Sequence, residues 1–77
     1  MIHIEILGPG CNKCQVLYRR TDEAAKELGV EYDIKKVTDI ETILGYGVMS
    51  TPALVVNGAL RLAGRVPSTE QLKEFLS

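Results

Sequence analysis

Residues 2–14 read Ile2-His3-Ile4-Glu5-Ile6-Leu7-Gly8-Pro9-Gly10-Cys11-Asn12-Lys13-Cys14, and this stretch decides the fold. Isoleucines alternate with other side chains along residues 2–7, which predicts a β-strand with one apolar face. Gly8-Pro9-Gly10 then breaks the strand, and two cysteines follow with two residues between them. Because the chain has only these two cysteines, a reversible disulfide between Cys11 and Cys14 is the leading hypothesis.

A purely structural disulfide is the first alternative. Closing so short a ring removes little entropy from the unfolded chain, so a bond here would stabilise the fold weakly. Two intervening residues place both sulfur atoms within one helical turn, and the bond could form and break with little backbone movement. The chain has no leader of the secretory kind, so we expect a cytoplasmic protein, in which static disulfides are uncommon. The pattern therefore favours exchange.

Length and composition exclude several classes of function. A chain of 77 residues predicts one domain, residues 1–77, with a small core. The net charge is −1 and the lysines and arginines are dispersed, which indicates neither nucleic acid nor an anionic membrane as a partner. No apolar run approaches the roughly 20 residues that span a bilayer. We expect a monomer without a nucleic-acid or membrane partner.

The next patterns predict two helices and a second strand. From about Asn12 to Leu28, apolar positions recur at spacings of three and four, and Gly29 supplies a helix stop. Residues 30–37 alternate again, and a strand that follows a strand and a helix is expected to be parallel to the first. Residues 38–41, from Thr38 to Glu41, match a capping box that would begin a short helix ending near Leu44.

The last third of the chain predicts a hairpin and a final helix. Asn57-Gly58 is the preferred pair for a type I′ turn, and it separates two apolar segments, residues 53–56 and 59–62. Residues 68–71, beginning at Ser68, form a second capping box. The helix that follows should bury Leu72, Phe75 and Leu76. The predicted order is βαβαββα, an α/β fold with a central four-stranded mixed sheet flanked by three helices.

At this point the whole chain resembles the thioredoxin-like proteins, and in particular their smallest, glutaredoxin-sized members with a redox-active disulfide. Two signatures carry the resemblance, Cys11-Asn12-Lys13-Cys14 and Ser50-Thr51-Pro52-Ala53-Leu54-Val55-Val56-Asn57-Gly58. The resemblance implies a cis-proline at Pro52 that faces the cysteine pair. It also implies a thiol-disulfide oxidoreductase that acts on disulfide-containing protein clients, with the Cys11–Cys14 disulfide carrying the electrons and no other cofactor or metal.

The two cysteines are predicted to have different roles. A thiolate is the attacking species, and at a helix start Cys11 would face free backbone N–H groups, the positive end of the helix dipole and the nearby Lys13 ammonium group. Cys14 lies one turn inside the helix, in its apolar stripe, and should be more buried and more often protonated. We therefore predict that Cys11 is the nucleophile and Cys14 the resolving thiol.

Thr51 and Pro52 are the predicted contacts with a client. Proline has no backbone N–H at the point where it enters a strand, so Thr51 can offer its backbone to an extended peptide beside Cys11. A plain strand-edge proline is the alternative. Met49 is predicted either to border the same groove or to fill an apolar gap. Lys13 is predicted to modulate the site, with an ordinary solvated helix position as the alternative.

Two questions stay open after the resemblance. Residues 64–68 lack the paired acidic residues with which glutaredoxins hold the glutathione amine, so we expect a thioredoxin-reductase-type electron donor rather than glutathione. The Asn12-Lys13 dipeptide leaves the reduction potential open.

A closed zinc site needs four ligands, and His3 adds at most one to the cysteines. An iron–sulfur cluster shared between two chains and a noncatalytic interaction module remain as alternatives.

Overall fold

A computed structural model describes residues 1–76 of the chain. In this range the elements are β1 (Ile2–Leu7), α1 (Asn12–Leu28), β2 (Tyr32–Val37), α2 (Ile40–Gly45), β3 (Ala53–Val56), β4 (Ala59–Ala63) and α3 (Thr69–Leu76). The strands of this range form one mixed sheet in the order β2-β1-β3-β4. β1 is parallel to β2 and antiparallel to β3, and β4 is antiparallel to β3. The predicted βαβαββα fold is confirmed.

The two faces of the sheet carry separate apolar clusters. Ile4 and Ile6 of β1 pack on one face with Leu17 of α1 and Leu72 of α3. Leu7 lies on the opposite face, in a smaller cluster with Ile43, Val48, Ala53 and Val55. Since Ile43 belongs to α2, the helices α1 and α3 cover one face and α2 covers part of the other. Full burial of a leucine, isoleucine or valine side chain stabilises the fold by about 1.5–3 kcal/mol relative to leaving that side chain exposed.

The hairpin between β3 and β4 has the predicted turn. Asn57 and Gly58 both have positive φ angles, 51° and 81°, as a type I′ turn requires. The Asn57 backbone N–H donates to the His3 carbonyl at 2.7 Å, and the Asn57 Oδ1 atom accepts the His3 N–H at 2.9 Å. These two bonds fasten the turn to β1, so the hairpin is fixed to the centre of the sheet.

Two helix boundaries also confirm the prediction. Gly29 ends α1 in the left-handed conformation, with φ 71°. At the start of α3, the Ser68 N–H donates to Gln71 Oε1 at 3.0 Å, and the Gln71 N–H donates to Ser68 Oγ at 3.2 Å. This reciprocal pair is a complete capping box.

The capping box predicted at residues 38–41 is wrong. The N-cap of α2 is Asp39, whose carboxylate accepts the Thr42 N–H at 3.1 Å and the Thr42 hydroxyl at 2.7 Å. A carboxylate accepts more strongly than the Thr38 hydroxyl and also complements the helix dipole, so the cap lies one residue later.

Smaller corrections concern strand ends and one aromatic side chain. β2 begins at Tyr32 rather than at Val30, because pairing with β1 starts with Ile2 opposite Tyr32. α2 and β4 each extend one residue beyond the predicted end. Phe75 is only partly buried, since it lies at the edge of the core with the Arg61 guanidinium 5.9 Å from its ring centroid.

Candidate active site

Cys11 and Cys14 lie at the N-terminus of α1. Cys11 is the N-cap, with extended backbone angles of −69° and 169°, and within residues 1–76 its side chain makes no capping hydrogen bond. Cys14 is one turn further on, where it is buried with 6% exposure, whereas Cys11 is exposed. The two sulfur atoms are 2.9 Å apart and both thiols are free. The pair is a dithiol poised for closure by a small movement.

The pKa values of the two thiols shift in opposite directions. The pKa of Cys11 is lowered, first by the hydrogen bond from the Cys14 thiol and then by the backbone N–H groups of Cys14 and Lys13. The pKa of Cys14 is raised, first by burial and then by its hydrogen bond to Cys11. As pH rises, the exposed Cys11 thiol therefore loses its proton before the buried Cys14 thiol does.

Lys13 contributes to the site through its backbone. Its backbone N–H, oriented by the helix start, lowers the pKa of Cys11. The ammonium group suggested by the sequence does not figure among the causes of that shift. The Lys13 side chain is exposed and lines a groove beside the cysteines. The backbone N–H groups at the helix start thus add to the hydrogen bond from the Cys14 thiol, which lowers the pKa of Cys11 most.

Pro52 lies at the entrance to β3. The Thr51–Pro52 peptide bond is cis, Pro52 is fully buried and Thr51 is exposed. The Pro52 carbonyl accepts the Gly64 N–H at 2.8 Å. A Cβ atom at Gly64 would come within 2.9 Å of the Ser50 Cβ. The loop after β4 is thus held closely against the segment that contains Thr51 and Pro52.

Gly8 is a site residue that the sequence pattern suggested only as a strand breaker. A Cβ atom here would collide with Cys14 Sγ and lie 3.8 Å from the Pro52 Cα. The Gly8 N–H donates to the Val37 carbonyl at 2.9 Å, which fixes the backbone at this point. Gly8 therefore leaves the space that the Cys14 sulfur atom occupies, directly beneath Pro52.

Met49 lies in the loop between α2 and β3 and is 93% exposed. This exposure excludes the gap-filling role that the sequence left open. An unbranched apolar side chain displayed to solvent three residues before Pro52 is well suited to contact a client.

A groove of about 270 Å³ lies beside the cysteine pair. One side is the first half of α1 and the other is the loop between β4 and α3. The described residues that line it are Asn12, Lys13, Val16, Arg20, Gly64, Arg65 and Val66. The sequence singled out Lys13 alone from this set, because the two sides meet only in the folded chain.

Metal-binding clusters and membrane-spanning helices are both absent from residues 1–76. In that range no three His, Cys, Asp or Glu side chains are close enough together to hold a metal ion. No helix of the same range is long and apolar enough to cross a membrane.

Known proteins are similar to this chain in sequence and in fold. The family described as thioredoxin domain matches residues 2–77. A thioredoxin of Methanothermobacter thermautotrophicus is 42% identical over 77 residues, which cover all of both chains. A thioredoxin of Methanocaldococcus jannaschii is 38% identical over 76 residues, 99% of this chain and 87% of the other. A solved thioredoxin-2, a component of the malaria parasite protein secretion machinery, has a TM-score of 0.73 at 16% identity over 99% of this chain and 81% of its own.

Proposed function

Because this chain belongs to the thioredoxin family and is a thiol-disulfide oxidoreductase, we propose that it reduces protein disulfides with Cys11 as the nucleophile and Cys14 as the resolving thiol. The observation that carries these roles is the asymmetry of the pair. One sulfur atom is exposed with a lowered pKa, and its neighbour 2.9 Å away is buried with a raised pKa.

The first step is attack by the Cys11 thiolate on a sulfur atom of the client disulfide. A bond forms between Cys11 and that sulfur, the client disulfide breaks, and the second client sulfur leaves as a thiolate that takes up a proton. Exposure of Cys11 gives the client access, while the buried Cys14 stays protonated and does not compete for attack.

The second step releases the client. Cys14 loses its proton and attacks the Cys11 sulfur atom, which forms the Cys11–Cys14 disulfide and frees the remaining client thiolate for protonation. Two electrons have then passed from the cysteine pair to the client, and of the two protons that the client takes up, one balances the proton lost by Cys14 and the other comes from solvent. The short distance between the sulfur atoms supports rapid release, because the resolving thiol is already in place.

Client binding is assigned to the segment that ends at Pro52. The exposed Thr51 is proposed to pair its backbone with an extended client strand beside Cys11, and Pro52 to shape that edge. Met49, exposed in the same loop, is proposed to contact the client's apolar side chains. Lys13 is proposed to act on the client through the groove rather than on the thiol.

The electron donor and setting complete the proposal. Family membership implies disulfide substrates and a reductase-type donor, and we propose that a thioredoxin-reductase-type enzyme serves better than glutathione. We also propose a cytoplasmic monomer of one domain, residues 1–77, which needs no cofactor or metal. Burial of Cys14 argues against the alternative cluster shared between two chains, because that cluster would need both thiolates to be accessible.

Two serine substitutions test the roles of the cysteines. With the reduced protein and insulin as the disulfide substrate, Cys14→Ser should accumulate a covalent Cys11–client intermediate, visible by mass spectrometry under non-reducing conditions. Cys11→Ser should form no intermediate and lose essentially all turnover, since the attacking thiolate is gone. Equal residual turnover in the two variants would contradict this assignment.

A further inference from the structure

The groove lies between the residues that follow Cys11 in α1 and the loop that is hydrogen-bonded to Pro52. Asn12 and Lys13 in its wall directly follow Cys11 in the chain. Gly64 in the opposite wall donates its N–H to the Pro52 carbonyl at 2.8 Å. A client whose disulfide faces Cys11 would therefore lay its neighbouring residues along this groove.

The charge of the groove has one sign. Of the described residues that line it, every ionisable one is a cation, namely Lys13, Arg20 and Arg65. The chain as a whole has a net charge of −1, so the positive charge is concentrated locally. Such a concentration attracts anionic groups.

Two of these cations have no carboxylate of their own. Within residues 1–76, ion pairs occupy Lys26, Lys35 and Lys73 but neither Lys13 nor Arg65. Arg20 donates to the Pro67 carbonyl at 3.1 Å, which holds its guanidinium group against the loop. Lys13 and Arg65 thus stand on opposite walls with their charges uncompensated by the protein.

The apolar part of the groove lining suits the methylene groups of a client side chain. Val16 and Val66 contribute apolar surface and are partly buried. The volume of about 270 Å³ lies just below the range of about 300–1,000 Å³ that is typical of pockets for whole small molecules. Such a space accommodates one or two side chains whose methylene groups contact the valines and whose charged ends reach the cations.

From this arrangement we infer that the groove selects client disulfides flanked by acidic residues. A client Asp or Glu close to the attacked cysteine would place its carboxylate between Lys13 and Arg65 while the disulfide faces Cys11. The inference rests on the proposed function, because the client must present its disulfide to Cys11. The exchange step itself is unchanged.

The expected preference is moderate and depends on salt. An exposed ion pair changes an equilibrium by roughly 1.5- to fivefold. Two such pairs predict that an acidic client reacts about two- to 25-fold faster than a neutral one. Because the Debye length falls from about 10 Å at 0.1 M salt to about 3 Å at 1 M, the preference should shrink as salt is added.

Three peptides with the same internal disulfide, flanked by Glu, Gln or Lys, provide the test. Pre-reduced protein is mixed with each in a single turnover, and the second-order rate constant is measured from the release of peptide thiol. The expected order is Glu, then Gln, then Lys. Arg65→Gln should lower the Glu-to-Gln rate ratio about threefold, and the double variant Lys13→Gln with Arg65→Gln should bring it close to one.

Two further variants separate the effect of the groove cations on the rate ratio from the effect of the net charge of the protein. Arg65→Lys keeps the charge and should keep most of the ratio. Arg61→Gln changes the net charge by the same amount as Arg65→Gln, but Arg61 lies over the Phe75 ring and outside the groove lining. It should therefore leave the Glu-to-Gln ratio at the wild-type value.

The outcomes distinguish this inference from the proposed function. Equal rates for the three peptides would overturn the acidic preference while leaving the oxidoreductase intact. Failure to reduce any peptide would overturn the function itself. A ratio that falls equally in Arg61→Gln and Arg65→Gln would assign the preference to net charge instead of the groove. Oxidised glutathione reacting faster than the Glu peptide, with the same dependence on Arg65, would show that the groove binds a small-molecule disulfide instead of a client segment, and it would contradict the inference.

Discussion

The starts of α1 and α3 differ in how their free backbone N–H groups are used. Every helix begins with backbone N–H groups that have no partner within the helix. At α3, Ser68 and Gln71 satisfy these groups with a reciprocal pair of hydrogen bonds. At α1 the N-cap is Cys11, whose thiol forms no capping bond within the described residues. The pKa of Cys11 is lowered first by the hydrogen bond from the Cys14 thiol and then by the backbone N–H groups at the helix start. A capped start stabilises the fold, whereas an open start stabilises a thiolate.

The largest effect is expected from a substitution at Gly8, which contacts Cys14 near the start of α1. Gly8→Ala places a methyl group against Cys14 Sγ, so the resolving sulfur atom must leave its present position, in which it lies 2.9 Å from the Cys11 sulfur atom. We expect client release to slow at least about tenfold, with accumulation of the mixed disulfide, and a loss of about 1–3 kcal/mol of stability from overpacking. Stopped-flow release of client thiol and urea unfolding measure the two effects.

Gly45→Ala is the matched control for that substitution. A Cβ at Gly45 meets nothing within 4 Å, so the same chemical change is made without a collision. Client release should proceed at the wild-type rate, and stability should change by less than about 1 kcal/mol. Equal slowing in both glycine variants would show that the space beneath Pro52 is not what holds Cys14.

An effect of intermediate size on stability is expected at the capped start of α3. Ser68→Ala removes the hydroxyl that accepts the Gln71 N–H and should cost about 1 kcal/mol of stability. For a domain of this size that corresponds to a decrease of roughly 4–8 °C in Tm. Thermal unfolding followed by circular dichroism measures it, and the rate of insulin reduction by the folded protein should stay at the wild-type value. A Tm equal to that of the wild type would mean that this cap does not stabilise α3.

The smallest effect expected is the pH dependence of stability in the reduced protein. The folded state lowers the pKa of Cys11 below its ordinary value of 9.0, so between the two pKa values the unfolded chain binds more protons. Stability should therefore rise with pH across that interval, and the gain should be lost as pH falls through the folded pKa. Urea unfolding at several pH values measures this slope, and Cys11→Ser should remove it. An identical slope in Cys11→Ser would assign it to another group.

Much of the difference between the starts of α1 and α3 was predictable from the sequence, because it depends on residues that are close together in the chain. Alternation in residues 2–7, the stripe in residues 12–28 and the Asn57-Gly58 turn are local signals, and each element forms where its signal lies. The position of Cys11 at a helix start follows from two of these signals. Its exposure and the burial of Cys14 follow from the phase of the helix.

What the sequence did not reveal depends on contacts between distant segments or on a choice between adjacent residues. Gly8 matters because the sheet brings β1, α1 and the Pro52 loop together at one point. The cationic groove requires Lys13 and Arg65 to face each other across two segments far apart in the chain. At α2, Thr38 and Asp39 are both good cap residues, and only the folded chain shows that Asp39 accepts the bond.

The most direct test of the open helix start is the titration of each thiol in the reduced protein. The rate of alkylation is measured across pH, and mass spectrometry of peptides assigns the modification to Cys11 or Cys14. We expect a pKa below 9.0 for Cys11 and above it for Cys14, and a higher Cys11 pKa in Cys14→Ala, where the hydrogen bond that lowers it most is removed. A Cys11 pKa at or above 9.0, or a lower pKa for Cys14 than for Cys11, would contradict this expectation.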